Sequence, residues 1–468
     1  MGGFFGLIAG DDCSVELFYG VDYHSHLGNK RGGMLMLDEA GGFNRVIHDI
    51  SNAPFRAKFS SDLPRLHGGS GIGCISDYED QPLLIKGSMG RFGITTVGKV
   101  NNVQELQEEA LLKKHAHFAE SAGNELNPTE IVASLICEKD SFAEGIRYAQ
   151  ERIDGSCSML LLAEEGVYAA RDLVGRTPIV IGQRGNDYAA AFEACSLYNV
   201  GFRICRWLGP GETVLLTKSG IKDINHPLSR KKVCAFLWIY YGFPASSYEG
   251  VNVEAVRYRC GAKLAQRDKG LQIDSVSGVP DSGTAYALGF SHESGVPFRR
   301  SYIKYTPTWA RSFLGDNQQA RLHTAKMKLI PIQEFIKGKS LLYCEDSIVR
   351  GTQLKDTFAR LPELGAAKIH VRSGCPPILF NCKFLNFSPS KSDLDLAARR
   401  AVKTLEGDEN KNLDKYIDDT TPEYARLVEQ IRQDMGFDTL KYQRLDDLLE
   451  AIGLPREQLC TYCWDGKE

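Results

Sequence analysis

The feature that most constrains the fold is a short stretch, residues 340–352, in which an apolar run is followed by two acids and a turn. The run Leu341–Cys344 predicts a strand, Glu345 and Asp346 follow it directly, and apolar residues recur at helical spacing beyond the turn Ser347–Thr352. A strand, a turn and a helix N-terminus place backbone N–H groups around a point where an anion can bind. The acids stand at the carboxyl end of the strand, where open α/β sheets bind ligands. The stretch therefore predicts a phosphate site beside two carboxylates, which suits a phosphorylated sugar and Mg²⁺.

An ordinary buried strand followed by a capped helix is the alternative, because such units are common. The adjacent charges argue against it, since charge at a strand end needs a partner. The stretch closely resembles the phosphoribosyl pyrophosphate (PRPP) motif of type I phosphoribosyltransferases, and segment 346–352 is similar to that of amidophosphoribosyltransferases. The resemblance implies that Glu345 and Asp346 hold the ribose hydroxyls of PRPP. It places the 5-phosphate on the residues of the turn: Ser347, Ile348, Val349, Arg350, Gly351 and Thr352.

Composition places the chain among globular proteins of two or three domains. Its 468 residues, 43% of them apolar and 25% charged, are enough for more than one core. The net charge of −3 does not suit a nucleic-acid groove, and no apolar run reaches the ~18 residues of a membrane span. The N-terminus lacks a signal-peptide pattern, and the 13 cysteines form an odd, scattered set. We therefore expect a cytoplasmic enzyme without a disulfide framework that binds neither nucleic acid nor membrane.

In the N-terminal half, short apolar runs alternate with glycine-containing turns. Residues 158–170 predict a hairpin, and helical patterns at 103–115, 127–137 and 141–153 indicate stacked sheets with outer helices. Several motifs are similar to the glutaminase domain of amidophosphoribosyltransferases: Tyr19-Gly20, His26, Gly28, Gln81-Pro82, the run 168–172, Gly175, Pro178, Glu193 and Cys195. The resemblance implies an N-terminal-nucleophile (Ntn) αββα domain, to which we assign residues 1–228.

The motifs that carry glutaminase chemistry have changed. The family's nucleophile is a cysteine at the start of the mature chain, and Gly2 stands at that position here. Segments 73–79, 96–98 and 128–130 likewise depart from the family's substrate-carboxylate, oxyanion-hole and amino-group motifs. Because one lost oxyanion donor costs on the order of 3 kcal/mol of barrier, and a lost nucleophile removes the covalent route, we predict a catalytically inactive glutaminase-like domain. Binding of another small molecule in the altered pocket is the alternative.

The polar, basic segment 225–232 predicts the junction with a second domain, residues 229–468. The apolar run Cys234–Tyr240 that follows predicts a strand. Further on, the loop that contains Asp281–Thr284 is rich in glycine and hydroxyl residues and precedes a helical pattern, which predicts a second anion-binding site. It resembles the pyrophosphate loop of the family, which implies a type I phosphoribosyltransferase α/β domain with a parallel sheet. The chain as a whole is thus predicted to combine α/β and α+β architecture. The pyrophosphate and its Mg²⁺ fall on Asp281, Ser282, Gly283 and Thr284.

Residues 302–332, between the two loops, carry several cations, among them Arg311 and Lys328. Such a run is usually a solvated face. In the family the equivalent segment closes over PRPP, excludes water and brings cations to the leaving pyrophosphate. The resemblance therefore implies catalytic roles for Arg311 and Lys328. The altered run 305–309 leaves open a lid with another purpose, and with it the identity of the acceptor.

Cys460 and Cys463 form a Cys-x-x-Cys pair, which alone fits a redox pair, half of a zinc site or coincidence. In one branch of the family four cysteines bind a [4Fe–4S] cluster, and those ligand positions fall on Cys234, Cys382, Cys460 and Cys463. The resemblance implies a structural cluster, since phosphoribosyl transfer moves no electron. Four thiolates would also suit zinc.

These features predict Mg²⁺-dependent displacement of pyrophosphate from PRPP by ammonia, which gives phosphoribosylamine as in purine biosynthesis. Glu345, Asp346, Arg311 and Lys328 are the predicted catalytic residues, acting through positioning and charge. A phosphoribosyltransferase for another amine is one alternative, and a PRPP- or nucleotide-sensing protein without turnover is another. The resemblance further implies purine nucleotide regulators and a homo-oligomer.

Overall fold

The computed structural model describes residues 2–112, 118, 121–122, 125–305, 329–386 and 392–468. The strands of the N-terminal half are β1 (Gly3–Ile8), β2 (Arg31–Leu37), β3 (Phe43–Asp49), β4 (Ser70–Ser76), β5 (Leu83–Gly87), β6 (Gly90–Val100), β7 (Ser121–Ala122), β8 (Glu125–Leu126), β9 (Gly155–Ala163), β10 (Gly166–Ala170), β11 (Val180–Arg184), β12 (Asp187–Ala191), β13 (Arg203–Trp207), β14 (Thr213–Thr217) and β15 (Gly220–Asn225). The helices there are α1 (Ser14–Asp22), α2 (Phe55–Phe59), α3 (Val103–Leu112), α4 (Pro128–Cys137), α5 (Phe142–Arg152) and α6 (Ala194–Asn199).

The C-terminal half has shorter strands and more helix. Its strands are β16 (Val233–Cys234), β17 (Ser247–Tyr248), β18 (Val251–Asn252), β19 (Ser275–Gly278), β20 (Tyr302–Lys304), β21 (Leu329–Pro331), β22 (Ser340–Glu345), β23 (Lys368–Ser373), β24 (Thr439–Tyr442) and β25 (Leu459–Cys460). Its helices are α7 (Val253–Gln266), α8 (Thr284–Ser294), α9 (Thr352–Phe358), α10 (Arg360–Glu363), α11 (Ala397–Glu406), α12 (Pro422–Met435), α13 (Leu445–Ile452) and α14 (Tyr462–Asp465).

The N-terminal half is a four-layer αββα unit. Its two antiparallel sheets have the orders β13-β11-β12-β1-β4-β2-β3 and β15-β14-β10-β9-β6-β5. Strand β1 shows why both sheets are covered, because its residues alternate between two cores. Phe5 and Leu7 pack under α1, whereas Phe4 and Ile8 pack between the sheets. The predicted hairpin is confirmed as β9–β10, and α4 and α5 confirm two of the predicted helices. Helix α3 confirms the third from Val103 to Leu112, and residues 113–115 lie outside the described residues.

The C-terminal half contains the predicted parallel sheet, with the order β19-β22-β23-β24. Strand β22 also alternates: Leu342 and Cys344 face one core, and Leu341 and Tyr343 face the other. Both faces are therefore covered, as is usual for parallel sheets. This burial explains the continuous apolar run of the sequence.

The strand predicted at Cys234–Tyr240 is wrong. Only Val233–Cys234 is extended, and Leu237–Tyr241 forms a turn of π-helix. Trp238 and Ile239 within it are fully buried. A short apolar run does not by itself distinguish a buried strand from a buried helical turn, because burial removes the periodicity that would separate them.

The predicted junction runs along the surface, with residues 226–230 exposed. One apolar core nevertheless extends across it and contains Phe4 and Phe192 together with Trp238 and Phe290. The domain boundary at residue 228 remains a prediction. In the part of the chain that the structure describes, no helix is long and apolar enough to cross a membrane.

Candidate functional site

The two predicted anion loops lie side by side at the carboxyl end of the parallel sheet. The Ser282 hydroxyl donates to Glu345 Oε1 at 2.6 Å, and the Asp346 N–H donates to the same oxygen at 3.0 Å. Only glycine fits at position 283, since an added Cβ would lie 2.0 Å from the carbonyl oxygen of Cys344. The structure thus brings the predicted pyrophosphate loop against the predicted acid pair, although 63 residues separate Ser282 from Glu345.

Both carboxyls of the pair are desolvated. Burial raises the pKa of Glu345 well above its usual range, and the neighbouring Asp346 charge raises it further. Burial also raises the pKa of Asp346, against the opposing effect of a hydrogen bond from Ser347. Two adjacent acids with raised pKa values are stabilised in their charged form by a cation or by hydroxyl donors. Bound Mg²⁺ and ribose hydroxyls would supply both.

The predicted phosphate turn is held from both sides. Ile348 is buried in the core, and the Val349 carbonyl accepts a hydrogen bond from Ala397 N–H at 2.8 Å. Gly351 has a φ of +73°, in the left-handed region that favours glycine, and α9 begins at the next residue, Thr352. Arg350 lies at the surface, 3.5 Å from Asp395. The turn therefore has a fixed backbone and one exposed cation.

The predicted lid is described only at its base. Strands β20 and β21 pair there as an antiparallel ladder, with Tyr302 opposite Pro331. Arg311 and Lys328 lie outside the described residues. Lys304, another of the cations that the sequence shows between the two loops, places its Nζ 2.8 Å from Asp281 Oδ2. The base of the lid is thereby joined to the pyrophosphate loop.

The segments that differ from the family's glutaminase motifs also lie close together in the structure. Gly2 precedes β1, and an added Cβ there would lie 2.4 Å from the carbonyl oxygen of Ile75, next to Ser76. Glu79 Oε2 accepts hydrogen bonds from the Thr129 hydroxyl at 2.6 Å and the Thr129 N–H at 3.1 Å. The Thr129 and Thr96 hydroxyls are 2.6 Å apart. The chain's own side chains thus satisfy one another at the junction of the three segments.

Among the residues that the structure describes, the Glu79 carboxyl forms no ion pair with a basic side chain. Burial raises its pKa, against hydrogen bonds from Thr129 and Gln81 that lower it. Gln81 Oε1 in turn accepts from the Thr95 hydroxyl and the Thr96 N–H, both at 2.7 Å. Sequence analysis did not predict this network, because no local pattern marks residues that pair across three separate segments.

A second buried network joins the two halves of the chain. Glu193 is fully buried, and its Oε1 accepts from Tyr248 Oη at 2.8 Å and contacts His26 Nε2 at 2.9 Å. The Glu193 N–H donates to His24 Nε2 at 3.1 Å, and His24 Nδ1 donates to the Gly20 carbonyl at 2.8 Å. These partners fix a neutral His24. Burial lowers its pKa to about 4.

The four predicted cluster cysteines come together from three segments. Strands β16 and β25 pair in parallel and place Cys234 opposite Cys460. The carbonyl of Cys463 accepts from the Leu379 and Phe380 N–H groups, both at 3.1 Å. A hydrogen bond from Cys463 lowers the pKa of Cys382 to about 7, and the Leu385 N–H donates to Cys382 Sγ at 3.3 Å. Within the described residues, no three His, Cys, Asp or Glu side chains are arranged to hold a single metal ion.

Comparison with known proteins agrees with this architecture. A glutamine amidotransferase domain family matches residues 71–199. The amidophosphoribosyltransferase of Methanothermobacter thermautotrophicus is 30% identical over 417 residues, 86% of this chain and 81% of that protein. That of Bacillus subtilis is 26% identical over 481 residues, 99% of this chain and 93% of that protein.

Solved structures match over the same length. The B. subtilis glutamine PRPP amidotransferase, complexed with ADP and GMP, superposes with a TM-score of 0.85 at 26% identity, over 99% of this chain and 96% of that one. A structure described as the allosteric regulatory enzyme of purine biosynthesis also gives 0.85, at 25% identity, over 99% of this chain and 95% of that one.

Fold and site together define an enzyme of the phosphoribosyltransferase class fused to a glutamine amidotransferase-type Ntn domain. The relationship extends through the whole chain rather than through one domain. The chain belongs to the amidophosphoribosyltransferase family.

Proposed function

We propose that this chain displaces pyrophosphate from PRPP with ammonia to form phosphoribosylamine, the amidophosphoribosyltransferase reaction of purine biosynthesis. The hydrogen bond between Ser282 and Glu345 supports the proposal, because it joins the loop proposed to bind pyrophosphate to the buried acid pair. PRPP requires both features at the same time, one for its pyrophosphate and the other for its ribose hydroxyls. Relatives that cover 99% and 86% of the chain are named amidophosphoribosyltransferases, which supports the proposal.

In the proposed reaction the chain works by positioning and charge. Glu345 and Asp346 hold the ribose hydroxyls and orient C1 toward the nitrogen nucleophile, and residues 347–352 hold the 5-phosphate. Residues 281–284 hold the pyrophosphate, which leaves as the C1–O bond breaks and the C1–N bond forms. Arg311 and Lys328 are proposed to neutralise the charge that develops on it.

Ammonia, rather than glutamine, is the proposed nitrogen source. Ser76 stands where the family has the arginine that holds the glutamine carboxylate. In the adjoining altered segment 128–130, the Thr129 N–H and hydroxyl both donate hydrogen bonds to the Glu79 carboxyl. An added acid next to a substrate carboxylate site repels the substrate, because like charges in a desolvated pocket cannot both be compensated. The glutaminase-like half is therefore proposed to be inactive.

Mg²⁺ is the proposed cofactor of the transferase site. It retains several waters and typically binds through one or two carboxylates together with substrate phosphates. The buried acids Glu345 and Asp346, both with raised pKa values, fit that requirement. When bound, the ion would offset charge on the pyrophosphate oxygens.

A [4Fe–4S] cluster is the proposed structural group at Cys234, Cys382, Cys460 and Cys463. One further observation fits it: the buried Arg176 lies near Cys460 and leaves its Nε without a hydrogen-bond partner among the described residues. Ligated clusters are anions, because four thiolates outweigh the charge of the iron–sulfur core.

The remaining parts of the proposal concern the setting of the enzyme. We propose regulation by purine nucleotides, assembly into a homo-oligomer and a cytoplasmic location. The solved relative that binds ADP and GMP supports the first of these.

The test is pyrophosphate release from PRPP and Mg²⁺ by protein purified without oxygen, with ammonium or glutamine as the nitrogen source. Release with ammonium and none with glutamine is the expected result. Glutamine-dependent release would refute the inactive glutaminase half. If PRPP binds but neither nitrogen source releases pyrophosphate, the chain is a PRPP sensor rather than an enzyme. If only another amine releases pyrophosphate, that amine is the acceptor.

A further inference from the structure

A buried cation lies against the cysteine set from the other half of the chain. Arg176 is only 5% exposed, and among the described residues it forms no ion pair with a carboxylate. Its guanidinium lies 3.4 Å from the centre of the Phe384 ring, and its Nη1 donates to the Ser156 hydroxyl at 3.2 Å. The buried Asp172 carboxylate accepts a hydrogen bond from the Arg176 backbone N–H at 3.1 Å but forms no ion pair with its guanidinium. Because a buried guanidinium without a direct counter-charge is costly, an anion beside it would stabilise this position.

The contacts of Arg176 point to where that anion belongs. Its carbonyl accepts a hydrogen bond from the Cys234 N–H at 3.2 Å, and its side chain lies near enough to Cys460 to oppose the burial that raises the pKa of that thiol. Phe384, which it covers, stands two residues after Cys382. Arg176 therefore meets all three segments that carry the cysteines.

Two further contacts bind the same loop to the N-terminal half. Asn101 Nδ2 donates to the Lys383 carbonyl at 2.8 Å, and Asn386 Nδ2 donates to the Gly98 carbonyl at 3.4 Å. Gly98 belongs to the altered oxyanion segment on β6. The loop of Cys382 therefore contacts the glutaminase-like half directly.

We propose that Arg176 is the charge-compensating residue of the cysteine cluster, and that it couples retention of the cluster to docking of the two halves. The inference rests on the proposed [4Fe–4S] group. Arg176 is a positioning residue and takes no part in phosphoribosyl transfer. Its guanidinium balances the anionic cluster, and the cluster in turn supplies the counter-charge that a buried guanidinium requires.

The proposal predicts opposite effects of one substitution on two forms of the protein. Arg176→Met removes the charge and keeps much of the side-chain length. In the cluster-loaded chain it removes the compensating cation, so loss of cluster absorbance in air should be about tenfold faster, the scale of outer-sphere partners of metal sites. In the iron-free chain it removes an unpaired buried charge, so the melting temperature should rise by about 2–4 °C. Arg176→Lys, which keeps the charge, should shift neither quantity by as much.

Lys383→Met is the matched control. Lys383 also lies over the Phe384 ring, with its Nζ 5.3 Å from the centroid, but it is 45% exposed and already paired with Glu468. Solvent and that partner screen its charge, so the control should keep its cluster.

Iron, acid-labile sulfide, bleaching rate and melting temperature are measured on full chains purified without oxygen and after chelation. A wild-type chain without iron or sulfide would overturn the cluster and this inference together. A wild-type cluster that Arg176→Met retains unchanged would overturn this inference alone. An Arg176→Met chain that is less stable in the iron-free form, or a Lys383→Met chain that loses its cluster equally fast, would assign Arg176 a merely structural role.

Discussion

Protonation of His24 should destabilise the fold in mild acid, and the structure sets the size of the effect. His24 is completely buried, and its two ring nitrogens serve opposite purposes: Nδ1 donates to the Gly20 carbonyl, and Nε2 accepts from the Glu193 N–H. A proton on Nε2 would face that N–H donor and break the bond. Burial accordingly lowers the pKa of His24 from 6.5 to about 4.

The sign follows from proton linkage. The unfolded chain binds this proton below about pH 6.5 and the folded chain only below about 4, so stability is lost as the pH falls through this window. At about 1.4 kcal/mol for each pH unit, the loss attributable to His24 is about 3 kcal/mol. It is complete near pH 4, below which both states carry the proton.

Urea unfolding of the wild type and of His24→Gln at several pH values between 7 and 4 measures this loss. The glutamine oxygen can still accept from Glu193 N–H but does not titrate, so we expect a lower stability at pH 7 and a flatter profile below it. His67→Gln, at a histidine whose side chain is 66% exposed, is the control and should follow the wild type. Parallel profiles for wild type and His24→Gln would refute the assignment of a neutral, buried His24.

Two predictions concern the transferase site. Glu345→Gln keeps an acceptor for the Ser282 hydroxyl but removes one of two adjacent buried acids. The ligand-free chain should therefore gain about 1 kcal/mol of unfolding free energy, while PRPP turnover should fall about 10²–10³-fold. Melting curves and pyrophosphate release measure both effects, with Glu363→Gln at an exposed position as the control, and a less stable or fully active variant would contradict the prediction. Gly283→Ala would place a Cβ 2.0 Å from the Cys344 carbonyl oxygen. We therefore expect the unfolding free energy to fall by about 1–3 kcal/mol and the two anion loops to separate. Calorimetry measures the affinity for PRPP, and an unchanged affinity would show that contact between the loops is not required for binding.

The elements that sequence analysis predicted correctly are those whose pattern is local. The run before Glu345 is a strand, and the turn of residues 347–351 leads into α9, because apolar residues, acids and a positive-φ glycine follow one another in order. The hairpin β9–β10 is confirmed for the same reason. The run after Cys234 misled the analysis, since a fully buried π-helical turn and a buried strand are equally apolar.

The parts of the site that the sequence did not reveal depend on long-range contacts. Glu79 meets Thr129 across 50 residues, and Glu193 meets Tyr248 across 55. Arg176 lies in a segment whose neighbours Gly175 and Pro178 were noticed, yet nothing local marks it as a residue of the cysteine set. Burial and charge compensation are properties of the assembled fold, so one sequence does not disclose them.

The pairing of β16 with β25 has a consequence for how the chain reaches its final form. Cys234 and Cys460 are neighbours in that two-residue ladder, although the whole transferase segment is synthesised between them. Closing so long a loop comes late in folding, because its entropy must be lost before the contact forms. The strands of the glutaminase-like half all precede Cys234 and are synthesised before the cysteine set is complete. For the proposed cluster, iron and sulfide would therefore be delivered to a nearly complete chain, as the last step of its maturation.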